Sequence, residues 1–188
     1  MAFRVHIVNI VTLTDRAKYM IDVSFGGDGA TSPLPLKEGH ITQNIGTQEL
    51  RLVYDSIPQQ IDKSHKQWIY QYRNSGGQPW NSFFCFPEYE FTAADFEVMN
   101  HFASTSEQSF QTWTVLVVKF LREGENVVGK VMMVNGDVKR NDGGKTGLVR
   151  RCETEDDRLD ALKEHFGITL TEEEREGIKG RMVELGRG

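Results

Sequence analysis

Short runs rich in Val, Ile, Tyr, Phe and Trp alternate with polar turn residues through the first part of the chain. The runs at 5–13, 18–25, 49–55, 67–73 and 80–86 predict strands. Thr14-Asp15, Gly26-Gly27-Asp28-Gly29 and Asn74-Ser75-Gly76-Gly77 separate them and carry turn chemistry. Strands this short, joined by polar turns, predict an antiparallel barrel or sandwich over residues 1–91.

The period then changes. Residues 92–102 predict a helix, with Thr92 as its cap and Phe96, Met99 and Phe102 on one face. A second group of strands follows at 110–120, 127–134 and 147–151, with hairpin turns at Asn135-Gly136-Asp137 and Asn141-Asp142-Gly143-Gly144. The end of the chain predicts two helices, over 155–166 and 172–185. Gly167 is a stop after the first, and Thr171 with Glu174 is a capping box for the second. The fold class is therefore α+β. A strand domain covers 1–91, and a connecting helix with a small α/β unit covers 92–188.

Composition narrows the classes. A chain of 188 residues with 38% hydrophobic and 10% aromatic residues buries a core and is not disordered. No apolar stretch approaches the roughly 18 residues of a membrane span, and Met1 to His6 lacks the apolar core of a signal peptide. Cys85 and Cys152 are the only cysteines and stand far apart. A disulfide scaffold or structural zinc site is not expected, and a cytoplasmic location is. The net charge of −5 arises from the acidic excess in residues 153–188. The body has no basic stripe, which disfavours nucleic acid as a partner.

Three features bear on chemistry. Gly144-Lys145-Thr146 looks like the end of a phosphate-binding loop, but the required earlier glycine is replaced by Lys139 and the stretch lies between strands. It reads as a hairpin turn. His6 and Asp22 fall on two strands joined by one turn. A hairpin brings such residues side by side, and a carboxylate beside an imidazole fixes its tautomer. The same spacing also suits a surface pair. Phe25-Gly26-Gly27 follows directly, and glycines let a backbone approach a ligand closely or simply make a turn.

Taken in order, these pieces resemble a known family. His6-x-x-Asn9-Ile10-Val11, Tyr19-x-x-Asp22-Val23-x-Phe25-Gly26-Gly27 and Pro33-Leu34-Pro35-Leu36 are similar to the arylamine N-acetyltransferases. The resemblance continues through Arg51-Leu52-Val53, Trp68-x-x-Gln71-x-Arg73, Trp80-x-x-x-Phe84-x-Phe86 and Asp95-Phe96-Glu97. It runs on through Ser104-Thr105-Ser106, Val127-Val128-Gly129 and Leu162-x-x-x-Phe166-Gly167-Ile168. The loop after Ser106 departs from the pattern, since Glu107 stands where the family usually has proline.

The resemblance implies a cysteine-proteinase-like architecture of barrel, interdomain helix and lid. It implies acetyl transfer from acetyl-CoA to arylamines or arylhydrazines, a xenobiotic-metabolising reaction that needs no metal. The family uses a Cys-His-Asp triad, in which the His takes the thiol proton and the Asp orients the His. By resemblance His6 and Asp22 are the triad His and Asp, Phe25 lines the substrate pocket, and Gly26, Gly27, Thr105 and Ser106 lie near CoA. The family's nucleophile precedes the His in an Arg-Gly-Gly-x-Cys-like motif, and His6 is preceded here by only five residues. Neither Cys85 nor Cys152 matches that motif. The expectation is a chain lacking the nucleophile domain and inactive by itself, with a separate chain as one source of that domain. A non-catalytic remnant binding CoA or a protein, and a small β-barrel carrying an apolar ligand, are the alternatives.

Overall fold

The computed structural model describes residues 6–23 and 26–186. It divides into two compact units, Met1–Thr92 and Ala93–Gly188.

In the first unit, β1 (Asn9–Thr12) and β2 (Lys18–Ile21) form an antiparallel hairpin. Its turn is closed by the Ala17 carbonyl accepting from the Leu13 N–H at 2.8 Å. β3 (Leu34–Pro35) pairs with the far edge of β2. The chain then forms a meander of β4 (Ile41–Gln43), β5 (Glu49–Asp55), β6 (Gln67–Arg73) and β7 (Asn81–Phe86).

Among the described residues these strands make two separate antiparallel sheets and no closed barrel, which corrects the barrel expectation. β3 shows why. It is two residues long and flanked by Pro33, with Pro35 inside it. Proline has no N–H to donate, so pairing cannot propagate along this edge to the next sheet.

The two sheets nonetheless share one core. Met20 and Leu34 from the small sheet pack with Leu50, Leu52, Trp68, Tyr70, Phe84 and Phe86 from the meander. The period of two puts Trp68 and Tyr70 on this face of β6, and Phe84 and Phe86 on this face of β7. A bulge in β7 sets Phe84 directly opposite Tyr70. A polar clasp spans the same two sheets, in which Glu88 pairs with Lys18 of β2 and accepts from the Trp68 indole N–H at 3.0 Å.

The second unit opens with α1 (Ala93–Thr105). A sheet of β8 (Leu116–Glu123), β9 (Asn126–Val134), β10 (Asp137–Asn141) and β11 (Gly147–Arg151) follows, in spatial order β11-β10-β9-β8. Val131, Met133 and Val138 on one face pack with Cys152, Ala161 and Leu162. α2 (Glu155–Ala161) widens into a π turn over Leu162–Phe166 and stops at Gly167, where φ is 73°. That is the left-handed conformation a glycine supplies without strain.

β3, β4 and β10 lie where the pattern predicts no strand, β1 and β2 are shorter than predicted, and two further boundaries differ most. The strand predicted from position 110 begins at Leu116, because Phe110–Thr112 is a 3₁₀ turn. The Thr112 hydroxyl donates to the carbonyls of Ser106 and Ser109 at 3.0 and 2.8 Å, and such local bonds compete with a strand ladder. The helix predicted over 172–185 is only α3 (Glu172–Glu176), capped by Thr171 and Glu174. Gly177 and Gly180 follow, and glycine is a poor helix former. Beyond α3 the chain is held by tertiary bonds. Arg158 is 3% exposed, binds Glu155 through two N–H···O contacts of 2.9 and 3.1 Å, and donates to the Val183 carbonyl at 2.8 Å.

Gly144-Lys145-Thr146 lies in the β10–β11 connection. The Asn141 side-chain oxygen accepts from the N–H groups of Gly143 and Gly144 at 2.8 and 2.9 Å. The triplet is part of a hairpin turn. Among the described residues no helix is long and apolar enough to cross a membrane.

Two outcomes follow from this packing. Lys18 first and the Trp68 N–H second hold the Glu88 carboxyl below the usual carboxylate range. A depressed folded-state pKa contributes stability above the unfolded value of about 4.3, and that stability is lost as pH falls through the folded value. Glu88→Gln keeps an acceptor for Trp68 and removes the charge. The variant is expected to melt below the parent at pH 7, by roughly 0.5–1 kcal/mol for a part-exposed pair. The gap should close when melting is repeated near pH 3. Gly129 on β9 is a steric constraint: a Cβ there would sit 2.4 Å from the Asn141 carbonyl oxygen. The obstacle is backbone, so Gly129→Ala should cost about 1–3 kcal/mol in urea denaturation.

Candidate active site

The site begins at the open end of the β1–β2 hairpin. Asn9 pairs with Ile21, so the residues just before β1 and just after β2 converge. His6 and Asp22 occupy those flanks, outside the strands rather than within them as their pattern predicts. The His6 Nε2 and Asp22 Oδ2 atoms are 2.6 Å apart. The Asp22 side chain is 1% exposed and that of His6 16%. A buried carboxylate accepting from an imidazole N–H fixes both the ring's orientation and its tautomer.

The floor of the site is aromatic. The His6 ring lies 4.6 Å from Phe84, and Phe84 stacks on Tyr70 at 4.8 Å with only 5° between the planes. Tyr70 is fully buried, and its hydroxyl donates to the Asp28 carbonyl at 2.6 Å. Burial foremost, then the Asp28 and Asp22 charges, push its hydroxyl pKa far up, so it is a neutral donor. Phe84 and Tyr70 were not among the residues expected at the site. The signal available for them was the alternation of β6 and β7, which puts both on the core face.

The glycines after Asp22 adopt left-handed backbone, with φ of 60° at Gly26 and 53° at Gly27. The Gly26 carbonyl accepts from the Gly29 N–H at 2.7 Å, which closes the turn. A Cβ at Gly27 would meet nothing within 4 Å, so the backbone angle and not crowding calls for glycine there. Side chains brace this turn. Gln48, 7% exposed, donates to the Asp28 carboxylate at 3.0 Å. Asn44 donates to Gln48 at 2.6 Å and to the Gly29 carbonyl at 3.1 Å. Phe25 lies outside the described residues.

Thr105 and Ser106 belong to the second unit, at the end of α1. The Thr105 hydroxyl donates to the His101 carbonyl at 2.6 Å, and the Ser106 N–H donates to Phe102 at 3.0 Å. Both groups are engaged in ending the helix.

The cysteines lie elsewhere. Cys85 follows Phe84 on β7 and therefore points to the opposite face, where it packs with Ile57, Ile69 and Val53. Cys152 is 3% exposed, and its thiol donates to the Asp157 carbonyl at 3.5 Å. Burial is the largest influence on it and raises its pKa. Neither is the electropositive, accessible setting of a nucleophilic thiol.

Comparisons with known proteins agree on one lineage. A sequence model described as N-acetyltransferase matches residues 2–175. The N-malonyltransferase FDB2 of Fusarium pseudograminearum is 32% identical over 183 residues, which is 92% of this chain and 53% of that protein. The protein of the same name from Gibberella moniliformis is 31% identical over 182 residues. The chain thus spans about half the length of the curated relatives it matches. Among solved structures, the arylamine N-acetyltransferase from Salmonella typhimurium superposes with a TM-score of 0.74 at 24% identity. That match covers 93% of this chain and 60% of that one. The Mycobacterium marinum arylamine N-acetyltransferase in complex with CoA gives 0.68 at 22% identity, covering 86% and 53%. These structural matches show the shared fold.

Both thiols should be slow toward iodoacetamide at pH 7 in the folded chain and fast after denaturation. His6→Ala should leave both rates unchanged. Rapid labelling of Cys85 that disappears with His6→Ala would instead make it the partner of the pair.

Proposed function

This chain belongs to the arylamine N-acetyltransferase family, and on that premise we propose that it carries the general-base half of an N-acyltransferase. The substrates are a short acyl-CoA donor and an arylamine or arylhydrazine acceptor. The observation that carries the reading is the 2.6 Å contact between His6 Nε2 and a desolvated Asp22 carboxylate.

Asp22 accepts the Nε2–H, which puts the imidazole lone pair on Nδ1. Nδ1 takes the proton of a cysteine thiol, and the thiolate attacks the acyl-CoA carbonyl. CoA leaves as its thiol, with the proton returned by the imidazolium that Asp22 stabilises. The acyl group then rests on the cysteine as a thioester. The amine attacks it, gives its proton to Nδ1, and the product leaves as an N-acyl arylamine while the thiol reforms.

The nucleophilic cysteine is proposed to come from polypeptide outside these 188 residues. The orientation of Cys85 and the burial of Cys152 support that assignment. Gly26 and Gly27 are proposed to let the backbone approach CoA closely. Thr105 and Ser106 are proposed to lie near CoA, with the Ser106 hydroxyl as the donor to its phosphate or pantetheine oxygens. Malonyl-CoA stands beside acetyl-CoA as donor, because the relatives of 31–32% identity are named N-malonyltransferases.

The test joins this chain to the part of the Fusarium N-malonyltransferase that the match leaves uncovered. The joined protein should release CoA thiol from acetyl-CoA or malonyl-CoA when an arylamine is present. The 188-residue chain alone should show no turnover above background. Within the joined protein, Asp22→Asn should lower kcat on the order of 10⁴-fold, the size found when an orienting carboxylate is neutralised. Turnover by the chain alone, or indifference to Asp22→Asn, would overturn the reading.

A further inference from the structure

We infer that Tyr70 is a positioning residue, whose hydroxyl anchors the glycine turn to the aromatic stack that seats His6. The inference rests on the acyl-transfer reading for its significance, since it concerns how the base and the turn beside it are held in register.

The argument starts from two anchors on one segment. Asp22 is tied to His6 at 2.6 Å. Six residues later, the Asp28 carbonyl is tied to the Tyr70 hydroxyl at 2.6 Å. His6 and Tyr70 both contact the Phe84 ring, Tyr70 stacked on it at 4.8 Å and His6 tilted against it at 4.6 Å. Asp22 and Asp28 are therefore each fastened to a residue whose ring contacts Phe84. Between the fastenings lie Gly26 and Gly27, both in left-handed backbone. The Gly26–Gly29 hydrogen bond closes the turn, and its attachments to neighbouring elements fix where it sits.

A tyrosine is suited to this task because it is amphipathic. Its ring fills the core and stacks on Phe84, while its hydroxyl reaches the Asp28 carbonyl in the turn. Deep burial and the nearby Asp28 and Asp22 charges keep that hydroxyl protonated, so the bond persists across the working pH range. Gln48 acts on the same residue from the other side, through the Asp28 carboxylate at 3.0 Å. Tyr70 thus holds the backbone of Asp28 and Gln48 its side chain.

The hydroxyl can be removed without the ring. In the 188-residue chain, Tyr70→Phe should speed hydrogen exchange of the Gly29 amide roughly tenfold, the scale of one lost hydrogen bond. Amides within β5 and β6 should change less than twofold. The downfield imidazole N–H resonance of the His6–Asp22 bond, assigned by its absence in His6→Gln, should broaden. Tyr54→Phe, which removes a hydroxyl elsewhere on the same sheet, should move neither signal. If Tyr70→Phe does not fold, 4-fluorophenylalanine incorporated at position 70 supplies the same readout, since it keeps the ring and a para substituent and removes only the donated proton. Unchanged Gly29 exchange and an unchanged His6 resonance in the folded variant overturn the inference. An equal rise across β5 and β6 overturns it too, because it marks a general loss of stability. These signals need no turnover, so they fail or hold separately from the acyl-transfer reading.

Discussion

Everything at the open end of the first hairpin depends on keeping one carboxylate dry. An unpaired charge removed from water costs several kcal/mol, even after the protein relaxes around it. Asp22 meets that cost with the His6 N–H, and its burial needs both sheets of the first unit. The hairpin supplies the pair, and the meander supplies the aromatic floor against which it rests. The pair and the core are therefore mutually dependent. Without the floor Asp22 would be solvated, and without His6 its carboxylate would lose the N–H that accompanies its burial.

The strands that build this floor serve a second purpose on their reverse face. Alternation sends Ile69 and Cys85 there, packed with Ile57 and Val53. Further along the same face the guanidinium groups of Arg51 and Arg73 lie 4.2 and 4.5 Å from the centre of the Trp80 ring. Arg73 pairs with Glu49 at 2.5 Å, while Arg51 donates to the neutral Gln71 at 2.8 Å. Burial first, and repulsion from Arg73 second, hold Arg51 below its ordinary value. The indole face lies against both cations, of which Arg73 also pairs with a carboxylate. One sheet thus presents a dry aromatic surface on one side and a stacked cationic one on the other.

The second unit relies more on local devices. Thr154 with Asp157 and Thr171 with Glu174 form reciprocal caps that start α2 and α3. Both helices are short, so the end bonds are a large share of what stabilises them. Where α3 stops, Glu155 accepts from the Leu185 N–H at 2.7 Å while it also binds Arg158. That arrangement ties the C-terminal stretch to α2 without further helix.

The sequence by itself determined the α+β class, most strand positions, the capping box at Thr171 and the stop at Gly167. Each is a short-range consequence of side-chain period or of one residue's backbone preference. It also ordered the motifs that resemble the acetyltransferases, and so singled out His6 and Asp22. The length of β3 was decided by proline within a sheet edge, and the end of α3 by Gly177 and Gly180. What only the tertiary structure decided is the setting of the pair. Phe84 reaches His6 and Tyr70 reaches Asp28 across 78 and 42 positions of chain. A β7 bulge brings Phe84 into register with Tyr70. No local pattern encodes such a contact, because it exists only once two sheets pack and the burial of one carboxylate selects their relative placement.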